Sequence, residues 1–582
     1  MTGEELPGAT GAMTPPRRTA TVFGSDRAVD VIAELGIEYL ALNPGATIRG
    51  LHDSIVSRPD ATPSLILAMH EEIAVAIAHG YAKAARRPMA VALHDTVGLL
   101  HATMALFNAW VDRVPILAVV GTGPMDNQVR RPWIDWIHTV GEQGDLVRHF
   151  TKWNDQPASV GAIVSSLRRA WRTALTQPMG PVLVGLDALL QEQEVVPDVG
   201  GDLHPDQRRV SRFAPDPALI ETALERLNAA RRPVILTDRP LSPAAAAAVV
   251  RLAERTGAAL VEIGAGGTFP VGHPHDVTDE SKRALGRADL LLFVDVRDPA
   301  RSLGTIDLAT RRMSGEGTGI AAIAIGLADA TDRSWMVTES DIPPRLTIIG
   351  DSELTLDALC DGWGVTARAF PDELRALAGV KEVDTTAGKD WLDRGALVSE
   401  VAHGVGDEDV VLGNSGVLRG SHTRRAFRFQ RPDQFLGQSG GEGLGYGAPA
   451  SVGAALAYRG NGRLVVGLQG DGDLMYVPQS LWTAAHHRIS LLMVVDANRS
   501  YLQDRHHQLA MASDRGRSPE DVGVGIDMVG PEVQFAALAR SLGVQGIGPV
   551  TNRAELRQAL VQAVPRVLAG EPVLVEAETR AQ

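Results

Sequence analysis

Two stretches of this sequence hold residues whose types and spacing could do chemistry. One is Gly470-Asp471-Gly472-Asp473, with Asn498 following 27 positions after Asp471 in Asp496-Ala497-Asn498-Arg499-Ser500-Tyr501. An Asp and an Asn at the ends of neighbouring strands offer two oxygen ligands to a hard divalent cation, and tight Gly turns let backbone N–H groups approach a diphosphate. Magnesium that keeps its other positions for phosphate and water is the usual bridge from such a site to a phosphorylated cofactor. Gly-Asp-Gly alone is an ordinary turn, so the rest of the chain must carry weight too. The other stretch is Met69-His70-Glu71-Glu72, where an apolar run over Ser64 to Ala68 leads into an Ala-rich helical pattern reaching Ala82. Taken alone, Glu71 is an acidic residue favoured in a helix's first turn by the dipole.

These residues need a scaffold. Short apolar runs, among them Ala90 to Leu93, Ile116 to Val120, Val182 to Val184, Val234 to Leu236, Leu290 to Val294, Leu464 to Leu468 and Leu491 to Val495, alternate with helical patterns. That alternation predicts an α/β chain of three doubly wound parallel-sheet domains. Ligands then sit outside the carboxyl ends of strands, where Gly470 to Asp473 and Asn498 fall. Val195 to Pro217 reads as a linker, and Pro371 to Asp390 as a weaker one. The expected organisation is a loose tail over 1–18, domains over 19–194, 218–370 and 391–582, and linkers over 195–217 and 371–390. Leu502 to Gly525 is polar and reads as a long irregular segment of the kind that forms lids. Ser242-Pro243 before an alanine run reads as a helix start, Ser as N-cap and Pro at the first helical position.

The chain has 582 residues, a net charge of −14 and an apolar content of 45%. The acidic balance argues against nucleic acid as a partner, since no basic excess is there to neutralise phosphates. No apolar run approaches the ~20 residues of a membrane span. The single cysteine, Cys360, excludes an intrachain disulfide framework and fits a cytoplasmic location, and the residue itself reads as a small buried apolar group.

Several motifs agree with one family. Asn43-Pro44-Gly45, His70-Glu71, Gly80-Tyr81-Ala82, Leu93-His94 and Asn108-Ala109-Trp110 resemble the pyrimidine domain of the thiamine-diphosphate enzymes that include benzoylformate decarboxylase, acetolactate synthase and pyruvate oxidase. The GDG with its distant Asn is similar to that family's diphosphate motif. Gly443-Leu444-Gly445-Tyr446-Gly447-Ala448-Pro449-Ala450 is similar to its GGLGFALPAAIG stretch. The resemblance implies pyrimidine-binding, central and diphosphate-binding domains in that order. It implies thiamine diphosphate and Mg2+ as cofactors, with Asp471, Asn498 and the Ser500 carbonyl on the metal. Gly470, Gly472, Asp473 and Tyr501 fall near the diphosphate. Asn43, Pro44, Gly45, Asn414, Ser415, Gly416 and Glu442 are further cofactor contacts. Glu71 inherits the hydrogen bond to the pyrimidine N1′, and Leu444 the wedge that bends the cofactor. Because one subunit's pyrimidine domain faces another's diphosphate domain in this family, a homodimer or homotetramer is expected.

The implied chemistry is decarboxylation of a 2-oxo acid, or ligation to an aldehyde or ketone acceptor, with acetolactate-synthase-like carboligation the favoured form. His94 is the expected proton-transfer group, because imidazole changes charge near neutral pH. His101 replaces a family Asn and adds a second imidazole, and His70 is expected to orient Glu71. Ala46 stands where benzoylformate decarboxylase has a substrate-contacting Ser, and Glu442 replaces a Gly before the wedge. Trp133, Trp136 and His138 match nothing in the family pattern. A central domain holding FAD, as in an oxidase, is the competing reading, although Asp289 to Pro299 lacks the Gly and Arg pattern of flavin-holding relatives. Lysis of a 2-hydroxyacyl thioester is a further alternative.

Overall fold

The structure is a computed structural model. It describes residues 21–58, 63–131, 135–195, 209–239, 241–264, 267–303, 305–306, 313–314, 320–327, 346–364, 366–383, 391–414, 421–437 and 439–580. The tail over 1–18 and most of the linker over 195–217 lie outside the described residues.

Three parallel sheets organise the chain. The first contains β1 (Tyr39–Leu42), β2 (Ser64–Leu67), β3 (Met89–His94), β4 (Ile116–Thr122), β5 (Trp153–Asp155) and β6 (Val182–Asp187), in the order 2-1-3-4-6-5. The second contains β7 (Pro233–Thr237), β8 (Ala259–Glu262), β9 (Leu290–Val294), β10 (Ala321–Gly326) and β11 (Leu346–Ile349), in the order 8-7-9-10-11. The third contains β12 (Val410–Asn414), β13 (Leu464–Gly470), β14 (Leu492–Ala497), β15 (Gln545–Val550) and β16 (Val573–Glu578), in the order 12-13-14-16-15. The strands read as continuous apolar runs because both faces are covered. In β3, Met89, Val91 and Leu93 enter one core, and Ala90 and Ala92 the core on the opposite face.

The first and third domains share a core. Helix α1 (Glu71–Ala85) follows β2, α2 (Asp95–Val111) follows β3, and α3 (Gly447–Ala457) precedes β13. Ala74, Ile77 and Tyr81 of α1 pack in one cluster with Ala450 and Ala454 of α3, Val465 and Leu481. The helices cross so closely that a Cβ on Gly80 would lie 2.0 Å from the Ala450 carbonyl oxygen, and one on Gly453 would lie 2.0 Å from that of Ile77. Glycine is required there by the approach of the two backbones.

Four sequence expectations have specific outcomes. Ser242 caps its helix through a 3.0 Å bond from the Ala245 N–H, with Pro243 at the first helical position. Cys360 is buried in the central core, and burial pushes its thiol pKa up. The linker expected over 371–390 begins later: Phe370, Leu374 and Leu377 pack into the central core, since an apolar face at helical spacing outweighs the local Pro and charge. Residues 384–390 lie outside the described residues. Of the segment over 502–525 read as an irregular lid, Leu502–Asp514 is a helix and the remainder is irregular. Leu502 and Ala512 bury while the rest of that helix stays solvated, so its apolar period is too sparse to show in the sequence.

Candidate active site

Glu71 opens α1 and His70 is its N-cap, the His70 Nδ1 accepting the Glu72 N–H at 3.2 Å. The Glu71 carboxylate is buried, 4% exposed. It lies against Gly98 of α2, where a Cβ would stand 3.0 Å from Oε1. His101, on the same face of α2, places Nδ1 at 3.2 Å from Glu71 Oε2. The His101 and His70 rings stack with centroids 4.8 Å apart. The structure thus brings His70, Glu71 and His101, each singled out in the sequence, to one place.

These three residues offer metal-binding atoms within 4.8 Å of one another, but their hydrogen bonds do not suit a metal. A ligating imidazole normally donates from its second nitrogen. His70 accepts at Nδ1, which fixes its proton on Nε2, and burial pulls its pKa down, keeping it neutral. The arrangement is instead a carboxylate oriented by an imidazole N–H.

Glu72 is the residue that sequence reasoning missed. Successive helical residues point about 100° apart, so Glu71 turns to α2 while Glu72 turns to the third domain. Its Oε1 lies 3.0 Å from where a Gly445 Cβ would be. Burial, then the neighbouring Asp473, push its carboxyl up to about 7. The available signal was the Glu-Glu pair itself, since only one of two adjacent carboxylates can serve each side of a helix.

His94 ends β3, and the next residue, Asp95, has φ 51°. That left-handed backbone is uncommon for a residue with a side chain and is held by tertiary bonds. The His94 Nδ1 lies 2.9 Å from Thr47 Oγ1 and 3.4 Å from Thr47 N. Gly45, in the Asn43-Pro44-Gly45 loop after β1, makes room: a Cβ there would overlap the His94 ring at 2.2 Å. His138 stands edge-on to His94, centroids 5.3 Å apart at 81°. Trp133 and the Trp136 side chain lie outside the described residues.

In the third domain, Gly470 ends β13 in register with Asp496 of β14, so Asp471 and Asn498 emerge side by side. The Asp471 carboxylate accepts Gly472 N–H at 2.8 Å and Arg499 N–H at 2.5 Å. Burial, then the nearby Asp496, raise its pKa to about 6. Asp496 is paired with Arg394 at 2.7 Å, while Asp471 with Asn498 offers an all-oxygen donor set, as magnesium requires. Asn498 Oδ1 accepts the Ser500 N–H at 3.1 Å, and Ser500 Oγ donates to Asp527 at 2.7 Å, which fixes the turn. The Tyr501 ring packs over Gly472, where a Cβ would lie 2.6 Å away. Asp473 accepts the Gly445 N–H at 2.7 Å, pinning the turn that follows Leu444. Leu444 is half-buried and stands outside the core clusters, while Glu442 is exposed, has φ 53°, and lends its charge to Arg297 of the central domain. Asn414 ends β12; its side chain, Ser415 and Gly416 lie outside the described residues.

A cavity of about 370 Å3 lies where the three domains meet. It is not lined by Glu71, His94 or Asp471. Two of its cations are paired with carboxylates, Arg297 bonding Asp238 at 2.7 Å and Arg113 lying 3.8 Å from Asp295.

Three family models match in order: the thiamine pyrophosphate enzyme N-terminal TPP binding domain over residues 23–147, the central domain over 220–359 and the C-terminal TPP binding domain over 419–577. The chain belongs to the thiamine pyrophosphate enzyme family. As a member of that family it is a thiamine-diphosphate-dependent enzyme of decarboxylase or carboligase type. It is 28% identical to benzoylformate decarboxylase of Pseudomonas aeruginosa, covering 88% of this chain and 92% of that one. It is 24% identical to the acetolactate synthase large subunit of Parasynechococcus marenigrum, covering 94% and 86%. Its fold is similar to the crystal structure of benzoylformate decarboxylase from Polynucleobacter necessarius, with a TM-score of 0.78, 23% identity and coverage of 96% and 99%. Among the described residues, no helix of this thiamine pyrophosphate enzyme is long and apolar enough to cross a membrane.

Proposed function

We propose that this enzyme is a magnesium- and thiamine-diphosphate-dependent 2-oxo acid decarboxylase, able to pass its bound product to a carbonyl acceptor. The observation that carries the reading is the placement of imidazoles: His94 fixed at the end of β3 with His138 against it, a site equipped to handle protons at a reacting carbon. This favours the decarboxylase outcome over acetolactate-synthase-like ligation, and the 28% identity to a benzoylformate decarboxylase over nearly its full length supports it.

Asp471, Asn498 and the Ser500 carbonyl would hold magnesium, and the Gly470–Asp473 turn the diphosphate. Glu71 would hold a proton at the pyrimidine N1′, with the His101 N–H balancing the carboxylate's charge. Leu444 would support the cofactor's bent shape from a turn held by Asp473. Bound thiamine diphosphate supplies a carbon nucleophile and an electron sink. His94 orients the substrate. The reading includes the homodimer or homotetramer that the family resemblance implies, in which a second chain completes each site.

The test is to mix the purified protein with thiamine diphosphate, magnesium and a panel of alkyl and aryl 2-oxo acids, with and without an aldehyde acceptor, following carbon dioxide and products by mass spectrometry. Carbon dioxide with an aldehyde product is the expected result. No carbon dioxide from any acid would move the reading to a hydroxyacyl thioester donor.

A further inference from the structure

His94 is held in a way that restricts what it can do. The Thr47 backbone N–H, 3.4 Å from His94 Nδ1, can only donate. Nδ1 is therefore an acceptor, and the neutral ring carries its proton on Nε2. Protonating Nδ1 would set two N–H groups against each other. Arg131 donates to the Ala46 carbonyl at 2.9 Å, next to Thr47, and so ties down the turn that presents this N–H. So held, His94 donates a hydrogen bond from Nε2 but is a poor group to gain and lose a proton.

The neighbouring imidazole is placed differently. His138 belongs to the short helical turn Asp135–His138 and is half-buried, reachable by solvent. The segment that carries it is tied to the same strained turn as His94. The Asp95 carboxylate, fully buried, accepts from Gln143 Nε2, and Thr139 Oγ1 approaches it at 3.5 Å. A left-handed residue thus both ends β3 at His94 and tethers the loop bearing His138. Asp95 on α2 and Arg131 are charged groups tied to the loops that carry this pair, the latter 3.2 Å from Glu192.

We propose that His138 is the proton-transfer group of this site and that His94 is a fixed hydrogen-bond donor, which divides between two residues a role the sequence assigns to His94. The assignment rests on the decarboxylase reading above. Overall, R–CO–COO− and one proton become R–CHO and carbon dioxide. The pair of electrons left when the C–C bond to carbon dioxide breaks takes its proton from the His138 imidazolium. Neutral His138 is then recharged from solvent, so one proton is consumed per carbon dioxide and the protein is unchanged.

The test needs two readouts. In cofactor-free protein carrying 13Cε1-labelled histidine, the 16 histidine signals are assigned with His94→Asn and His138→Asn. The His138 signal is expected to change with pH as its ring gains a proton, while the His94 signal stays that of the neutral ring. Titration of His94 with a static His138 would overturn the proposal. With the loaded enzyme, His138→Ala is expected to lower kcat by about 10²–10⁴-fold, to lose the imidazole limb of the pH–rate profile, and to regain rate with added imidazole. His94→Asn should raise KM, keep that limb and gain nothing from imidazole. The reverse pattern would overturn it. Exchange of the cofactor's C2 proton should survive in both variants, and its failure in the unmodified enzyme would count against the cofactor reading rather than against His138.

Discussion

His487 Nε2 accepts the Leu67 N–H at 2.8 Å, so a residue of the third domain holds the edge strand that leads into Glu71. Thr483 donates to the carbonyl of the same Leu67 at 3.1 Å. Strand β2 has no neighbour on this side, and these two bonds satisfy backbone groups that a sheet edge would leave open. His487 must be neutral to accept, and burial, then His486 and Arg459, pull its pKa down to about 4. His79, buried on α1 and 4.8 Å from the Tyr446 ring, is likewise drawn down to about 4, chiefly by burial.

Both histidines bind protons more weakly when folded. Between their ordinary range near 6.5 and about 4, the unfolded chain holds more protons, so stability is fully present above about 6.5 and is lost as pH falls toward 4. The thermal midpoint is expected to drop between pH 7.5 and pH 5, and His487→Gln should flatten part of that slope. Equal midpoints at the two pH values would contradict this account.

Asp112 caps α2 beside one cation and one imidazole, 2.5 Å from Lys83 Nζ and 3.0 Å from His79 Nε2. Although burial opposes ionisation, these neighbours hold its carboxyl below the usual range. Asp112→Ala would strand a buried Lys83 and is expected to cost about 3–5 kcal/mol. Denaturant melts of the variant and the parent protein measure the difference.

The α1–α3 crossing tolerates no side chain at its closest points. Gly80→Val is expected to lose at least ~1–3 kcal/mol and to loosen the first and third domains together. A surface glycine such as Gly406, with nothing near its Cβ position but a φ of 58°, serves as the comparison for backbone strain without crowding. Hydrogen exchange at α1 and α3 should rise in Gly80→Val and stay unchanged in Gly406→Ala.

Glu71→Gln removes the charge that His101 faces and leaves the third-domain site whole. Turnover should fall about 10²–10⁴-fold, while calorimetry still registers magnesium-dependent cofactor binding. Undiminished turnover would remove Glu71 from the chemistry.

Asp471→Ala, or removal of metal by a chelator, should weaken cofactor affinity at least tenfold, about 1.4 kcal/mol. Unchanged binding without metal would place the cation elsewhere.

The sequence by itself determined the three-sheet plan and the two halves of the site. Strands such as Leu290–Val294 and Leu464–Gly470 are buried on both faces, so their apolar runs are continuous and their ends are marked by Gly, Asp or His. Local chemistry was legible for the same reason: Gly470-Asp471-Gly472 and His70-Glu71 are contiguous, and contiguous residues need no fold to be seen together. What only the tertiary structure decided are pairings across long stretches of chain, whose partners are set by packing. Thr47 fixing the tautomer of His94, His138 brought to that ring by Asp95, Glu72 turned to Gly445, and His487 gripping Leu67 belong to this group. The helix over Leu502–Asp514 was hidden for a related reason, since only Leu502 and Ala512 of it are buried and its tie to Asp527 through Arg505 spans a long stretch of chain.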